Sequence, residues 1–97
     1  MLNSKQRAYL RAMSQHLETI FQVGKGRISD EMCIQIANAL EARELIKARV
    51  LENSGYTAKE AANEIAEKID CDVVSCVGSR FVLYKESEKK KRIELPK

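Results

Sequence analysis

The stretch from Thr19 to Leu40 reads T-I-F-Q-V, then G-K-G-R-I, then S-D-E-M-C-I-Q-I-A-N-A-L, and its reading decides the fold. Ile20, Phe21 and Val23 favour an extended strand, because β-branched and aromatic side chains fit a pleated, half-buried surface. Ser29 can cap a following helix, and Asp30 and Glu31 fall in its first turn, where the positive dipole end favours acids. Cys33, Ile36, Ala37 and Leu40 recur at the spacing of one buried helical face. Between strand and helix lies Gly24-Lys25-Gly26-Arg27. Two glycines allow close backbone approach, two cations attract an anion, and a helix N-terminus lies next door. The expectation is a seat for a nucleic-acid phosphate built from Gly24, Lys25, Gly26 and Arg27.

Composition narrows the classes around this turn. With 97 residues, 44% of them hydrophobic, the chain is expected to form one domain over 1–97 with a modest core. No apolar run approaches the ~20 residues of a membrane-spanning helix and nothing resembles a signal peptide, so a cytoplasmic protein without membrane contact is expected. Cys33, Cys71 and Cys76 lack CxxC spacing, and His16 is the single histidine. A zinc site is therefore not expected, and the thiols read as small packed side chains.

The net charge of +3 is unevenly spread. Residues 1–27 carry five Lys/Arg and one acid, residues 28–70 five and nine, and residues 71–97 seven and four. One basic surface follows if both ends of the chain share a face.

Working outward, Asn3 or Ser4 can cap a first helix reaching about His16, with Gln6 completing a capping box. Leu10, Met13 and Leu17 form its apolar stripe, while Lys5, Arg7 and Arg11 place cations elsewhere on it. After the second helix, Glu44 to Leu51 reads as a strand with Ile46, Ala48 and Val50 on one face. Lys47 and Arg49 lie on the other, expected to point away from the helices. Asn53-Ser54-Gly55 breaks it, and Thr57 to Glu60 caps a third helix with Ala58, Ala61, Ala62, Ile65 and Ile69 buried. Cys71 to Val77 and Arg80 to Lys85 read as strands joined by the two-residue hairpin Gly78-Ser79.

The order α-β-α-β-α-β-β predicts an α+β domain with a four-stranded mixed sheet and three helices. Two βαβ units predict parallel pairing of the first three strands, with the last strand antiparallel to the third. Three helices suffice to cover one face, leaving the other partly in water. Residues 88–97 read as a hydrophilic basic tail, with four cations in a row from Lys89 to Arg92.

These residues resemble the bacterial YhbY-like proteins, stand-alone forms of the CRM domain. The likeness is carried by L-N-S-K-Q-R-A-Y-L-R at the start, I-F-Q-V-G-K-G in the turn, and A-L-E-A-R-E-L-I-K-A-R-V-L after it. It continues in V-G-S-R-F-V-L-Y-K-E-S and the closing I-E-L-P. The resemblance implies a fold similar to the C-terminal domain of translation initiation factor three. It also implies RNA binding, association with precursors of the large ribosomal subunit, and a G-x-x-G turn like that of KH domains. Here Arg27 stands where the family pattern has its second glycine. A guanidinium there can pair bidentately with phosphate, but a non-glycine is strained if φ is positive.

Other chemistries fit poorly. A Walker A loop would need glycine where Thr19 stands and Ser or Thr where Gly26 stands. No catalytic constellation can be drawn around His16, which reads as a partner of its helix's C-terminus. The protein is expected to be no enzyme, to need no cofactor or small-molecule substrate, and to act as a monomer. The leading expectation is an RNA-binding assembly factor in which Lys5, Arg7, Arg11, Lys47 and Arg49 extend the footprint of the turn. Few aromatics are present, so base stacking is expected to be secondary to RNA shape. The alternative is a protein-binding adaptor with incidental RNA contact; DNA binding lacks a groove-reading motif.

Overall fold

The computed structural model describes residues 2–97. The elements run α1 (Ser4–Ser14), β1 (Thr19–Val23), α2 (Asp30–Arg43), β2 (Leu45–Val50), α3 (Ala58–Ile69), β3 (Asp72–Val77) and β4 (Arg80–Tyr84). Each helix starts at a side-chain cap. Asn3 Oδ1 accepts the Gln6 N–H at 2.8 Å, Ser29 Oγ that of Met32 at 3.0 Å, and Thr57 Oγ1 that of Glu60 at 3.1 Å. Gln6 and Glu60 reach back to close two capping boxes. The expected element order and mixed sheet are both present.

The pairing differs from expectation in one respect. The sheet order is β1-β2-β4-β3, with β1 and β2 parallel and β4 antiparallel to both neighbours. β3 keeps the direction of β2 but does not pair with it. The reason lies in β4, where Phe81, Val82, Leu83 and Tyr84 are all buried. A strand apolar on both faces belongs inside the sheet. β3, which ends in Val77 at 71% exposure, takes the edge.

Helices cover both faces, not one. α2 and α3 bring Ile36, Leu40, Ala61, Ala62 and Ile65 onto Ile46, Ala48, Phe81 and Leu83. On the opposite face α1 places Leu10 with Leu45, Val74, Val82 and Tyr84. Those last four apolar groups would otherwise face water, which is why α1 lies there. It covers only half of that face, and the half carrying Lys47 and Arg49 stays partly open.

Residues beyond Ser87 pack against the domain instead of trailing from it. Ile93 is buried beside Leu2 and Tyr84, Leu95 packs at the same cluster, and the Pro96 carbonyl accepts from Gln6 Nε2 at 3.0 Å. The anchor is Glu44, at the C-terminal cap of α2, fully buried with a positive φ of 66°. Its carboxylate accepts the backbone N–H groups of Ser87 at 2.7 Å, Arg92 at 2.6 Å and Ile93 at 2.7 Å. Glu41, one turn earlier, accepts from the Ser87 hydroxyl and the Glu88 N–H.

Candidate nucleic-acid interface

β1 and β2 are parallel, so they end at the same edge of the sheet, and the Gly24–Arg27 turn leaves from that edge. The Leu51 N–H closes the last β1–β2 bond to the Val23 carbonyl at 2.9 Å, and the Val50 N–H reaches the Ser79 carbonyl at 2.8 Å. The turn, the end of β2 and the β3–β4 hairpin are thereby held at one end of the molecule. Ile28 is buried under α2 and α3 and fastens the turn from below. Lys68 Nζ donates to its carbonyl at 3.2 Å.

Lys25, Gly26 and Arg27 are all exposed. Among the described residues, no carbonyl or side chain accepts their backbone N–H groups. The positive φ falls on Gly26, at 104°, and not on Arg27. Arg27 therefore carries its guanidinium without backbone strain. A Cβ placed on Gly24 would meet Leu51 Cδ1 at 3.8 Å, an ordinary contact, so the core does not demand glycine there. Asp30 and Glu31 occupy the first turn of α2. There the carboxylates complement the positive end of the α2 dipole themselves.

On the α1 side of the sheet, the cross-strand register builds a basic row. Arg49 stands opposite Arg80 on β4, and two pairs further along, on the same face, Lys47 stands opposite Val82. Like charges directly opposed across an antiparallel pair repel, so the fold gains nothing from the Arg49–Arg80 placement. Arg11 on α1 joins Lys47 and Arg80 around a cleft of about 300 Å³. Among the described residues the only ion pairs are Lys68–Glu64 and Lys91–Glu86. Lys25, Arg27, Arg11, Lys47, Arg49 and Arg80 therefore have no acidic partner within ion-pair distance.

The structure sorts the residues expected from sequence. Gly24, Lys25, Gly26 and Arg27 share the sheet's end with Arg49, and Lys47 and Arg11 continue the surface over the open face. Arg7 lies one turn before Arg11 on the same helical face. Lys5 lies about 200° round the helix from Arg7 and does not join the group. The cations from Lys89 to Arg92 sit by Glu41 and Glu44, at the far end of the 14-residue α2 and about 20 Å from the turn. Arg80 is the member that sequence reading missed. Its signal was the hairpin Gly78-Ser79, which starts β4 at Arg80; only the insertion of β4 beside β2 brings it to Arg49.

The three thiols lie elsewhere and are not chemically activated. Burial, with Asp72 nearby, pushes the Cys71 thiol up to about 12, and burial also raises Cys33 and Cys76, which makes them poor nucleophiles at neutral pH. Among the described residues no three metal-ligating side chains converge, and no helix is long and apolar enough to cross a membrane.

A four-stranded α+β domain with an exposed glycine-basic turn beside a row of unpaired cations is the class that fold and surface define. Residues 2–85 match the CRS1 / YhbY (CRM) domain, and the chain belongs to that family. It is 48% identical over 96 residues to a Bacillus subtilis protein named probable RNA-binding protein YqeI, covering 99% of this chain and all of that one. A Haemophilus influenzae protein named RNA-binding protein is 31% identical, covering 99% of this chain and 96% of its own. The solution structure of a hypothetical protein from Staphylococcus aureus superposes with a TM-score of 0.74 at 42% identity, over 99% of this chain and all of that chain.

Proposed function

We propose that this protein binds RNA, holding the phosphate backbone at the Gly24–Arg27 turn and along the Arg49–Arg80 row. The observation that carries this reading is the Arg49–Arg80 pair. Two opposed guanidinium groups without an acidic partner are unfavourable alone and become favourable when an anion lies across them. The relatives named as RNA-binding proteins support RNA as that polyanion. Within the reading, ribosomal RNA in precursors of the large subunit is the target that the family resemblance favours, with the protein acting as an assembly factor in the cytoplasm.

The test is filter binding to ribosomal RNA at several salt concentrations. With about five to seven phosphate contacts, log K falls with log salt by about 0.7 to 0.9 per contact. Affinity insensitive to salt, or unchanged in the Lys25→Glu/Arg27→Glu variant, overturns the proposal.

One observation favours a second reading, a protein-binding adaptor. Ile34 is 61% exposed beside a groove of about 450 Å³ between α2 and α3, lined also by Cys33, Ala37 and Ile69. That groove lies on the helical side, away from the Arg49–Arg80 row. Retention on ribosomal precursors by an Ile34→Asp variant, with loss by Lys25→Glu/Arg27→Glu, decides for RNA.

A further inference from the structure

The open half of the α1-side sheet face ends in the cleft between α1 and the strands. Two cross-strand rows build it. Lys47, Val82 and Ser75 stand side by side across β2, β4 and β3, and Arg80 with Val77 forms the next row. Strands lie about 4.8 Å apart, so the floor from Lys47 to Ser75 is about 10 Å wide. That accommodates one planar heterocycle. Arg11 and Gln15, from the last turn of α1 and its C-cap, form the overhanging wall.

We propose that this cleft receives one unpaired nucleotide of the bound RNA, its base seated on the exposed Val77 beside the margin of Val82 and its phosphate on the Arg80–Arg49 row. This rests on the RNA-binding reading above and narrows its ligand from RNA in general to RNA carrying an extruded base. Three features favour a base over a second phosphate in the cleft itself. Val77, with the margin of Val82 that reaches the cleft, offers an apolar floor that gives phosphate oxygens no hydrogen bond. The negative end of the α1 dipole abuts the cleft, which disfavours an anion and suits the amino groups of a base edge. Gln15 and Ser75 supply both donors and acceptors, while the Ser14 hydroxyl is already engaged with the Arg11 carbonyl at 2.7 Å. Arginine planes at the rim can stack on an unpaired base, the usual mode of sequence-sensitive RNA contact, even where aromatic side chains are absent.

The experiment compares two RNA duplexes of one sequence, one fully paired and one with a single bulged 2-aminopurine. Affinity is read from an end label and base environment from 2-aminopurine emission. The parent protein is expected to bind the bulged RNA about tenfold more tightly, with a change in emission, as one stacked base commonly provides. Ser75→Tyr, which fills the floor, and Gln15→Ala, at an exposed position that leaves the core untouched, are each expected to cut that ratio at least threefold. Lys25→Glu/Arg27→Glu weakens both RNAs together. Equal affinity of the parent for the two RNAs, or an undiminished ratio in both cleft variants, overturns the nucleotide cleft while leaving backbone binding intact. Failure of the parent to bind either RNA overturns the RNA reading and this inference with it.

Discussion

The carboxylate of Glu44 accepts the backbone N–H of Ile93 at 2.7 Å, joining the cap of α2 to a residue 49 positions further along the chain. With the N–H groups of Ser87 and Arg92 it makes a three-donor nest around one buried charge. A buried carboxylate is tolerable only when so satisfied. Replacing it by Gln substitutes an NH₂ donor for one acceptor and leaves at least one N–H facing a like donor. Glu44→Gln is expected to lower the unfolding free energy by about 2–3 kcal/mol, measured by urea denaturation. Faster amide exchange at Ser87, Arg92 and Ile93 would show that the C-terminal segment has been released.

The same nest sets a pH dependence. Burial alone would raise the Glu44 carboxyl, but the three N–H groups outweigh it and hold the group below its ordinary range. The Ser87 hydroxyl, then the Glu88 N–H, lowers Glu41 in the same direction. A carboxylate depressed in the folded state contributes its stability in full above the unfolded value, about 4.3. The contribution is lost as pH falls from there through the folded value. Urea midpoints of the parent should therefore decline below about pH 5, and those of Glu44→Gln should decline less.

At the turn, Lys25→Glu/Arg27→Glu removes two cations from an exposed loop and touches no core residue. Circular dichroism and the urea midpoint should match the parent. RNA affinity should fall by an order of magnitude or more at low salt. The log–log salt slope should shrink by about 1.4 to 1.8, the share of two phosphate contacts.

The Arg49–Arg80 opposition predicts opposite effects on folding and binding. Arg80→Thr relieves repulsion across β2 and β4 and keeps a β-favouring side chain. Stability is expected to rise by about 0.5 kcal/mol while RNA affinity drops. A variant that loses both would mean Arg80 supports the sheet instead.

Arg27→Gly restores the second glycine of a G-x-x-G turn. Because the positive φ is at Gly26, the exchange relieves no strain at position 27. It adds freedom to the unfolded chain, lowering stability by about 0.5–1 kcal/mol, and removes a phosphate-pairing group. Weaker RNA binding in the salt titration is expected, and tighter binding would show that the side chain obstructs the backbone grip.

Much of this protein is local and can be read along the chain. Caps at Asn3, Ser29 and Thr57, the apolar periodicity of α2 and α3, and the hairpin Gly78-Ser79 act over three or four residues, and the structure keeps each. The basic turn is legible for the same reason, since its glycines and cations are contiguous. Tertiary structure alone decided which strand lies between β2 and β3, which face α1 covers, and what Arg49 faces. Those outcomes depend on burying Phe81, Val82, Leu83 and Tyr84 on both faces at once, a condition that joins residues far apart in sequence. It also made Glu44, which the sequence places at the start of a strand, the cap of α2 and the buried anchor of the C-terminal segment. A charge's worth depends on the donors that folding gathers around it, and none of the three N–H groups at Glu44 lies within 40 residues of it.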